Sequence, residues 1–330
     1  MKKRILSCLV FAMILCFSAT ALQAKTKWNA NSVWPPNNHQ TIALETFAKK
    51  VKEMTGGELE IVVLSGGALG YKGPELLKTV RDGLVPLSDI LISGVAGDEA
   101  IFQVVTLPFL CRNLEEARLL NDIARPYFDK VAEKWKQKIL FVSPWPGAGL
   151  WTTKKVQSVD DMKGLKTRTY DKNGALVVEA TGGTPYALPF SEVYSSLATG
   201  LIDSVITSTP TAVDAKFWEV LKFYEPLNIT IAVDMINVNL KAFNKLDEKS
   251  RKAVLAAAKE MEASVWAQVA ALDKEKESLC NSNGIETVPP SDELMNALTD
   301  VTKGIREDYL KSAPPEAREI VAAFLKKVGR

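Results

Sequence analysis

The sequence predicts an α/β protein of mostly parallel sheets with helices on both faces, divided into two domains. Three observations carry that expectation. Helical and strand-like apolar patterns alternate along most of the chain, as β-α-β units do when parallel strands are joined by crossover helices. A run of turn formers, Pro144-Trp145-Pro146-Gly147-Ala148-Gly149-Leu150, interrupts the alternation near the middle. From Asp247 to Ser282 there is neither proline nor glycine. At 1.5 Å per residue a helix over that stretch reaches about 50 Å, longer than one domain of this size needs, so it is expected to run along both.

The elements follow in order. Leu44, Phe47, Ala48, Val51 and Met54 keep a helical apolar spacing that Gly56-Gly57 ends. Glu58 to Leu64 reads as a strand around the run Ile61-Val62-Val63-Leu64. Glu75 to Val80 reads as helix, Asp89 to Ile92 as strand, Asn113 to Lys138 as helix and Ile139 to Val142 as strand. Beyond the turn formers, a strand is expected near Leu165 to Thr169, helices over Asn173 to Ala180 and Ser191 to Thr199, and a strand over Ser204 to Thr207. The apolar, β-branched stretch Asn228 to Leu240 reads as strands carrying the chain back.

Composition narrows the function. The chain has 330 residues, 47% apolar and 24% charged, the balance of a globular protein. Lysine and arginine number 41 against 39 acids, so no basic field exists to hold nucleic acid. A single histidine, His39, argues against histidine-dependent catalysis and multi-histidine metal sites. Its place after Pro35-Pro36-Asn37-Asn38, at a helix start, gives it a structural or capping role.

Lys2, Lys3 and Arg4 precede an apolar run from Ile5 to Phe17, too short for a hydrocarbon core of about 30 Å. Small residues follow to Ala24, so residues 1–24 read as a secretory signal peptide and the mature chain as periplasmic. Removing it takes three positive charges and no acid, which brings the formal charge from +2 to −1. Cys111 and Cys280 remain, and nothing in the sequence says whether they meet. No GxxxxGK[ST], HExxH, GxSxG or CxxC occurs, and no metal or cofactor is expected.

Three segments stand out together. They are Gly66-Gly67-Ala68-Leu69-Gly70 with Asp82-Gly83 and Leu107-Pro108-Phe109-Leu110; Ser158 to Arg168, which contains Asp161-Met162-Lys163-Gly164-Leu165-Lys166; and Leu188 to Asp203, which contains Pro189-Phe190-Ser191-Glu192-Val193-Tyr194. In these the chain resembles the extracytoplasmic solute-binding subunits of tripartite ATP-independent periplasmic (TRAP) transporters. Their patterns s-x-x-D-M/L-K-G-L-K-x-R and P-x-x-F-S-E-V-Y-x-x-L-x-x-G-x-x-D match in the expected order.

The resemblance implies a two-lobed periplasmic binding protein, not an enzyme, that closes on an organic acid and delivers it to membrane permease subunits. A long helix is expected to pack across both lobes. Residues 25–145 with 234–265 would form lobe I, and 146–233 with 266–330 lobe II. A monomer is expected. Arg168 stands where the family's arginine holds the ligand carboxylate, a task suited to a planar guanidinium that keeps its charge. Phe190, Trp34, Tyr71, Ser93, Gly94, Tyr170, Thr207 and Ser208 fall at other pocket-facing positions, with Asp171 at the rim. Glu192, Tyr194 and Asp203 belong to the motif but are expected to maintain the lobe's fold.

A second arginine that many members carry is replaced here by Ala148 or Gly149, depending on a one-residue gap. Meanwhile Trp34, Trp145, Trp151, Tyr170 and Phe190 gather around the expected cleft, whereas Trp135 and Trp266 lie on helical faces and read as core. Together these point to a monocarboxylate with an aromatic or indole-like body, such as an aromatic amino acid or its keto or acetic acid relative. A non-aromatic organic acid, or a sensor subunit presenting the same ligand to a receptor, are the alternatives.

Overall fold

The computed structural model describes residues 25–330; the expected signal segment, 1–24, lies outside the described residues. The chain opens with β1 (Thr26–Asn31), α1 (His39–Met54), β2 (Leu59–Leu64), α2 (Leu76–Arg81), β3 (Leu87–Leu91), α3 (Leu114–Lys134) and β4 (Gln137–Pro144). It then crosses to β5 (Gly149–Thr152), β6 (Lys166–Thr169), α4 (Lys172–Ala180), β7 (Thr184–Ala187), α5 (Val193–Ala198), β8 (Ser204–Thr207), α6 (Thr209–Asp214) and β9 (Phe223–Glu225). It returns through β10 (Val233–Asn239) and α7 (Leu240–Asn244) to the long α8 (Glu248–Ser282), then β11 (Glu286–Thr287), α9 (Asp292–Ser312) and α10 (Pro315–Lys327).

Two sheets result, ordered β2-β1-β3-β10-β4 and β11-β9-β5-β8-β6-β7. Each contains one reversed strand. β10 is antiparallel to β3 and β4, and β5 is antiparallel to β8 and β9. These are the strands the chain enters on crossing between lobes, and a chain that crosses directly, without a helix, arrives running the other way. The two crossing segments hydrogen-bond each other: Trp145 N donates to Ala232 O at 2.9 Å, Ala148 N to Thr230 O at 2.8 Å, and Ile229 N to Ala148 O at 2.8 Å. The expected strands over Asn228 to Leu240 therefore reduce to β10, with 226–232 serving as the return crossing.

Helix α8 is unbroken over 35 residues, about 52 Å. Asp247 caps its start by accepting from Ser250 N at 2.9 Å. Its first half packs on α1 and β4 and places Trp266 in the first lobe's core. Its second half packs on α6 and ends with Cys280 among Trp151, Phe217 and Tyr224 of the second lobe. One rigid rod thus contributes to both cores.

Each sheet is covered on both faces. Phe47, Phe141 and Val254 fill one side of the first sheet, and Phe102, Phe128 and Phe324 the other. Full burial of such side chains is worth about 1.5–3 kcal/mol each. Phe324 belongs to α10, which packs on α3, so the last helix returns to the first lobe. The expected assignment of all of 266–330 to lobe II fails there, because α10 presents Ala317, Ile320, Val321 and Phe324 as one apolar face to that core.

Helix α1 ends at Gly56 and Gly57, both at positive φ (63° and 83°), as the sequence implies. Helix α3 is capped by Asn113 but stops at Lys134, short of the expected Lys138. Lys136 takes a left-handed φ of 55°, and Gln137 already pairs in β4 with Asn239. Cys111 and Cys280 are free, buried in different lobes, and burial pushes both thiols up to about 12.

Candidate functional site

A narrow cavity lies between the lobes against the crossing segments. The second lobe contributes Arg168 and Tyr170 from the end of β6, and Thr207, Ser208 and Thr211 from the end of β8 and α6. The first lobe contributes Trp34 and Leu91. The crossings add Trp145, Pro146, Ala148 and Ala232. The strand ends of both lobes therefore supply its walls, where open α/β sheets usually take ligands.

Arg168 is 4% exposed. Its strand is flanked by β8 and β7, which fixes the backbone, and its Nε donates to Leu188 O at 3.0 Å. The terminal nitrogens have no protein partner among the described residues. Burial lowers the guanidinium to about 10, so it stays charged at neutral pH. Asp171 is nearby, but its oxygen accepts from Gly174 N at 2.8 Å as the cap of α4, and burial pushes its carboxyl upward. Arg168 is the one formally charged side chain among the residues lining the cavity. A buried cation without an ion-pair partner is costly, and an anion in the cavity would relieve that cost.

The aromatic walls are themselves held in place. Trp34 and Trp145 meet edge to face with ring centroids 4.7 Å apart. Their indole nitrogens donate to the two oxygens of Asp234, at 2.8 and 2.7 Å. His39 packs edge-on against Trp145 at 4.6 Å, its Nε2 at 3.3 Å from Pro144 O. Burial lowers the ring to about 4, so it is neutral at pH 7, in the structural role its position implied, while Asn38 supplies the cap. The Tyr170 hydroxyl bonds to Thr230 of the return crossing. Side chains also join the lobes nearby: Asn38 Nδ2 donates to Asp214 at 2.6 Å, Gln103 Nε2 to Asn173 at 2.7 Å, and Asn173 Nδ2 to Thr106 Oγ1 at 3.1 Å.

Of the residues singled out in the sequence, Trp34, Trp145, Arg168, Tyr170, Thr207 and Ser208 line the cavity together. Phe190 does not reach the wall; it backs Trp34 with centroids 6.0 Å apart. Tyr71 packs at the edge of the first lobe's core. Ser93 and Gly94 lie in the short helical turn after β3, where Ser93 faces Asp171 rather than the cavity. Trp151 is a correction: it is fully buried, stacked on Tyr224 at 4.0 Å, and its nitrogen donates to Thr207 O. Its β5 position points it into the second lobe's core.

Ala148, not Gly149, faces the cavity at the place of the missing second arginine. Leu91, Thr211, Ala232 and the anchoring Asp234 were missed. The turn-former run held the relevant signal for Pro146, but apolar Leu91 and Ala232 look like any strand residue.

Several buried carboxyls titrate high: Asp214 and Asp234 at about 6 and Glu225 at about 7, all mainly through burial. A carboxyl with a folded pKa above its unfolded value holds its proton more readily when folded, so its contribution to stability falls as pH rises through that window. His39 acts in the opposite sense below pH 6.5. The unliganded protein is therefore expected to melt at higher temperature near pH 6 than at pH 8, the carboxyl contribution continuing to grow toward about pH 4 against the opposing effect of His39. A melting temperature that rises from pH 6 to pH 8 would contradict these burial effects.

The family model for bacterial extracellular solute-binding protein, family 7, matches residues 30–312. An extracytoplasmic solute receptor of Bordetella pertussis, described as binding pyroglutamic acid, is 29% identical; the match covers 91% of this chain and 99% of that one, with a TM-score of 0.88. A marine metagenome TRAP solute-binding protein described as specific for pyroglutamate is 28% identical, with 92% and 99% covered and a TM-score of 0.87. A monocarboxylate 2-oxoacid-binding periplasmic protein of Nostoc sp. is 28% identical over 293 residues, 86% of this chain and 79% of that protein.

Proposed function

The chain belongs to bacterial extracellular solute-binding protein family 7, and from that premise we propose that it is the exported receptor of a TRAP transporter for a compact monocarboxylate such as pyroglutamate. Members of this family are binding proteins of transport and not enzymes, and this chain is one of them. The observation that carries the ligand reading is Arg168, a buried guanidinium on the cavity wall with no acidic partner. A carboxylate would take its two terminal nitrogens in parallel hydrogen bonds worth about 1.5–3 kcal/mol each. With apolar contact to the indoles and the association cost deducted, binding near −8 kcal/mol, or micromolar, is within reach.

The size of the guest follows from the walls. The space enclosed by these walls is tight, which favours a compact guest. Much of the indole surface is spent on Trp34–Trp145 contact and on Asp234. With Ala148 in place of a second cation, one carboxylate is the charge the cavity can neutralise. The relatives at 28–29% identity are described as binding pyroglutamate or 2-oxo monocarboxylates. The aromatic body expected from the sequence has no counterpart in those descriptions, and Trp151 and Phe190 do not line the cavity. The Trp34–Trp145 wall still favours an aromatic acid as the second reading.

In this reading residues 1–24 direct export, and the mature protein works as a periplasmic monomer. Ligand binds the closed form more tightly than the open one, shifting the population toward the form that docks on the permease. Thermal shift with pyroglutamate, 2-oxobutyrate, glutarate and indole-3-acetate tests the ligand class. Stabilisation by pyroglutamate or the oxo acid, with little from indole-3-acetate, is expected. Stabilisation by indole-3-acetate alone would favour the aromatic reading, and by glutarate alone would refute a monocarboxylate site.

A further inference from the structure

Behind the cavity wall lies a pair of acids that the carboxylate clamp does not use. Asp89 on β3 and Asp234 on β10 are 1% and 0% exposed. The antiparallel register sets Asp89 opposite Ile236 and Leu91 opposite Asp234, so the two carboxyls are diagonal neighbours on one face of the sheet. Asp234 accepts from Trp34 with one oxygen and from Trp145 with the other. Neither Asp89 oxygen makes a full hydrogen bond to a donor, and the side chains it faces are Asp234 and the Trp34 indole.

Among the described residues no cation acts on either carboxyl. Of the other titratable groups near the indoles, His39 packs on Trp145 and is kept neutral by burial, while Arg168 and Tyr170 line the same cavity. Two bare carboxylates cannot share such a site, because like charges in a low-dielectric interior repel strongly; the pair retains one proton. Asp234 holds both indole N–H groups at hydrogen-bond distance, whereas Asp89 only faces the Trp34 donor that Asp234 already holds, so the proton belongs on Asp89 and points at Asp234.

The geometry points to Asp234 as the positioning residue of the cavity, one carboxylate locking both indole walls, with Asp89 as the proton-bearing partner that lets it stay ionised. This rests on the cavity being the ligand site, but the positioning itself can be read without ligand. Asp89→Asn keeps a donor for Asp234. Asp234→Asn sets an amide N–H₂ against one indole N–H, donor against donor, and frees that ring.

The test is the ¹H–¹⁵N spectrum of the unliganded protein's indole N–H groups, assigned with Trp34→Phe and Trp145→Phe, together with affinity for pyroglutamate. Asp234→Asn is expected to shift both cavity indole resonances and weaken pyroglutamate about ten- to a hundredfold. Asp89→Asn should leave the resonances and the affinity close to wild type. An Asp234→Asn protein with unmoved resonances, or an Asp89→Asn protein as altered as Asp234→Asn, overturns the assignment.

Should Asp234→Asn fail to fold, a pH titration of the wild-type indole resonances decides. Movement of both with one common midpoint supports a shared anchor, and independent movement or none refutes it. Failure of pyroglutamate to bind wild type removes that ligand alone, since the indole resonances still report on Asp234.

Discussion

Replacing Arg168 with alanine is expected to abolish capture of the carboxylate ligand while leaving the unliganded fold intact or slightly more stable. Both halves of that result come from the same fact. In the free protein the guanidinium is buried, hydrogen-bonded through Nε alone to Leu188 O, and depressed to about 10 by desolvation. Deleting a buried charge that lacks a partner is often neutral or stabilising. With ligand present, two charge-assisted bonds disappear, about 3–6 kcal/mol or roughly a hundred- to ten-thousandfold in Kd. Arg168→Lys should recover little, because one ammonium cannot form the paired contact and its shorter reach leaves the Leu188 carbonyl unserved. Calorimetry with pyroglutamate and thermal melts without it measure the two halves separately. An Arg168→Ala protein that binds normally would refute the clamp.

The second large effect concerns the crossing. Gly149→Ala is expected to destabilise the protein by about 3 kcal/mol, at the upper end for overpacking. A Cβ there would lie 2.4 Å from Glu225 O and 2.4 Å from the Tyr224 ring. Neither can yield cheaply. The carbonyl belongs to β9, paired with β5 through Leu150 and Glu225 and already accepting from Leu227 N. The ring is sandwiched against Trp151 in the second lobe's core. Gly73→Ala is the control: nothing lies within 4 Å of its Cβ position, and a change within about 0.5 kcal/mol is expected there. Urea unfolding reads both as midpoint shifts at constant slope. A Gly149→Ala midpoint equal to that of Gly73→Ala would show that this strand pair can relax. The same crowding explains why a second arginine could stand at 148 but not at 149.

The comparison of these two positions shows where sequence reading reaches its limit. Arg168 was legible because its residue type has one chemical use in that motif. The choice between Ala148 and Gly149 was not, because it depends on which Cβ direction faces the cavity and which meets β9. Trp151 was misplaced for the same reason: strand alternation says that neighbours point oppositely, not which of the two faces is the core. The overrun of α3 into β4 had another cause, since an apolar strand that follows a helix without a glycine or proline break offers no punctuation. The return of α10 to the first lobe depends on contacts with α3, nearly two hundred residues earlier in the chain, which no local pattern encodes.

By itself, the sequence determined the α/β class, the unbroken long helix, the crossing near residues 144–150 and the candidate carboxylate clamp. The first three depend on local periodicity and on the placement of proline and glycine, and the last on the resemblance of the segment ending at Arg168 to the family's pattern. Only the tertiary structure decided that Trp34, Trp145 and Asp234 form one unit, that Cys111 and Cys280 are held in separate cores, and how much room the cavity leaves. Those properties arise where strands distant in sequence become neighbours in a sheet, and the partner of a buried polar group is set by that register and not by its place along the chain.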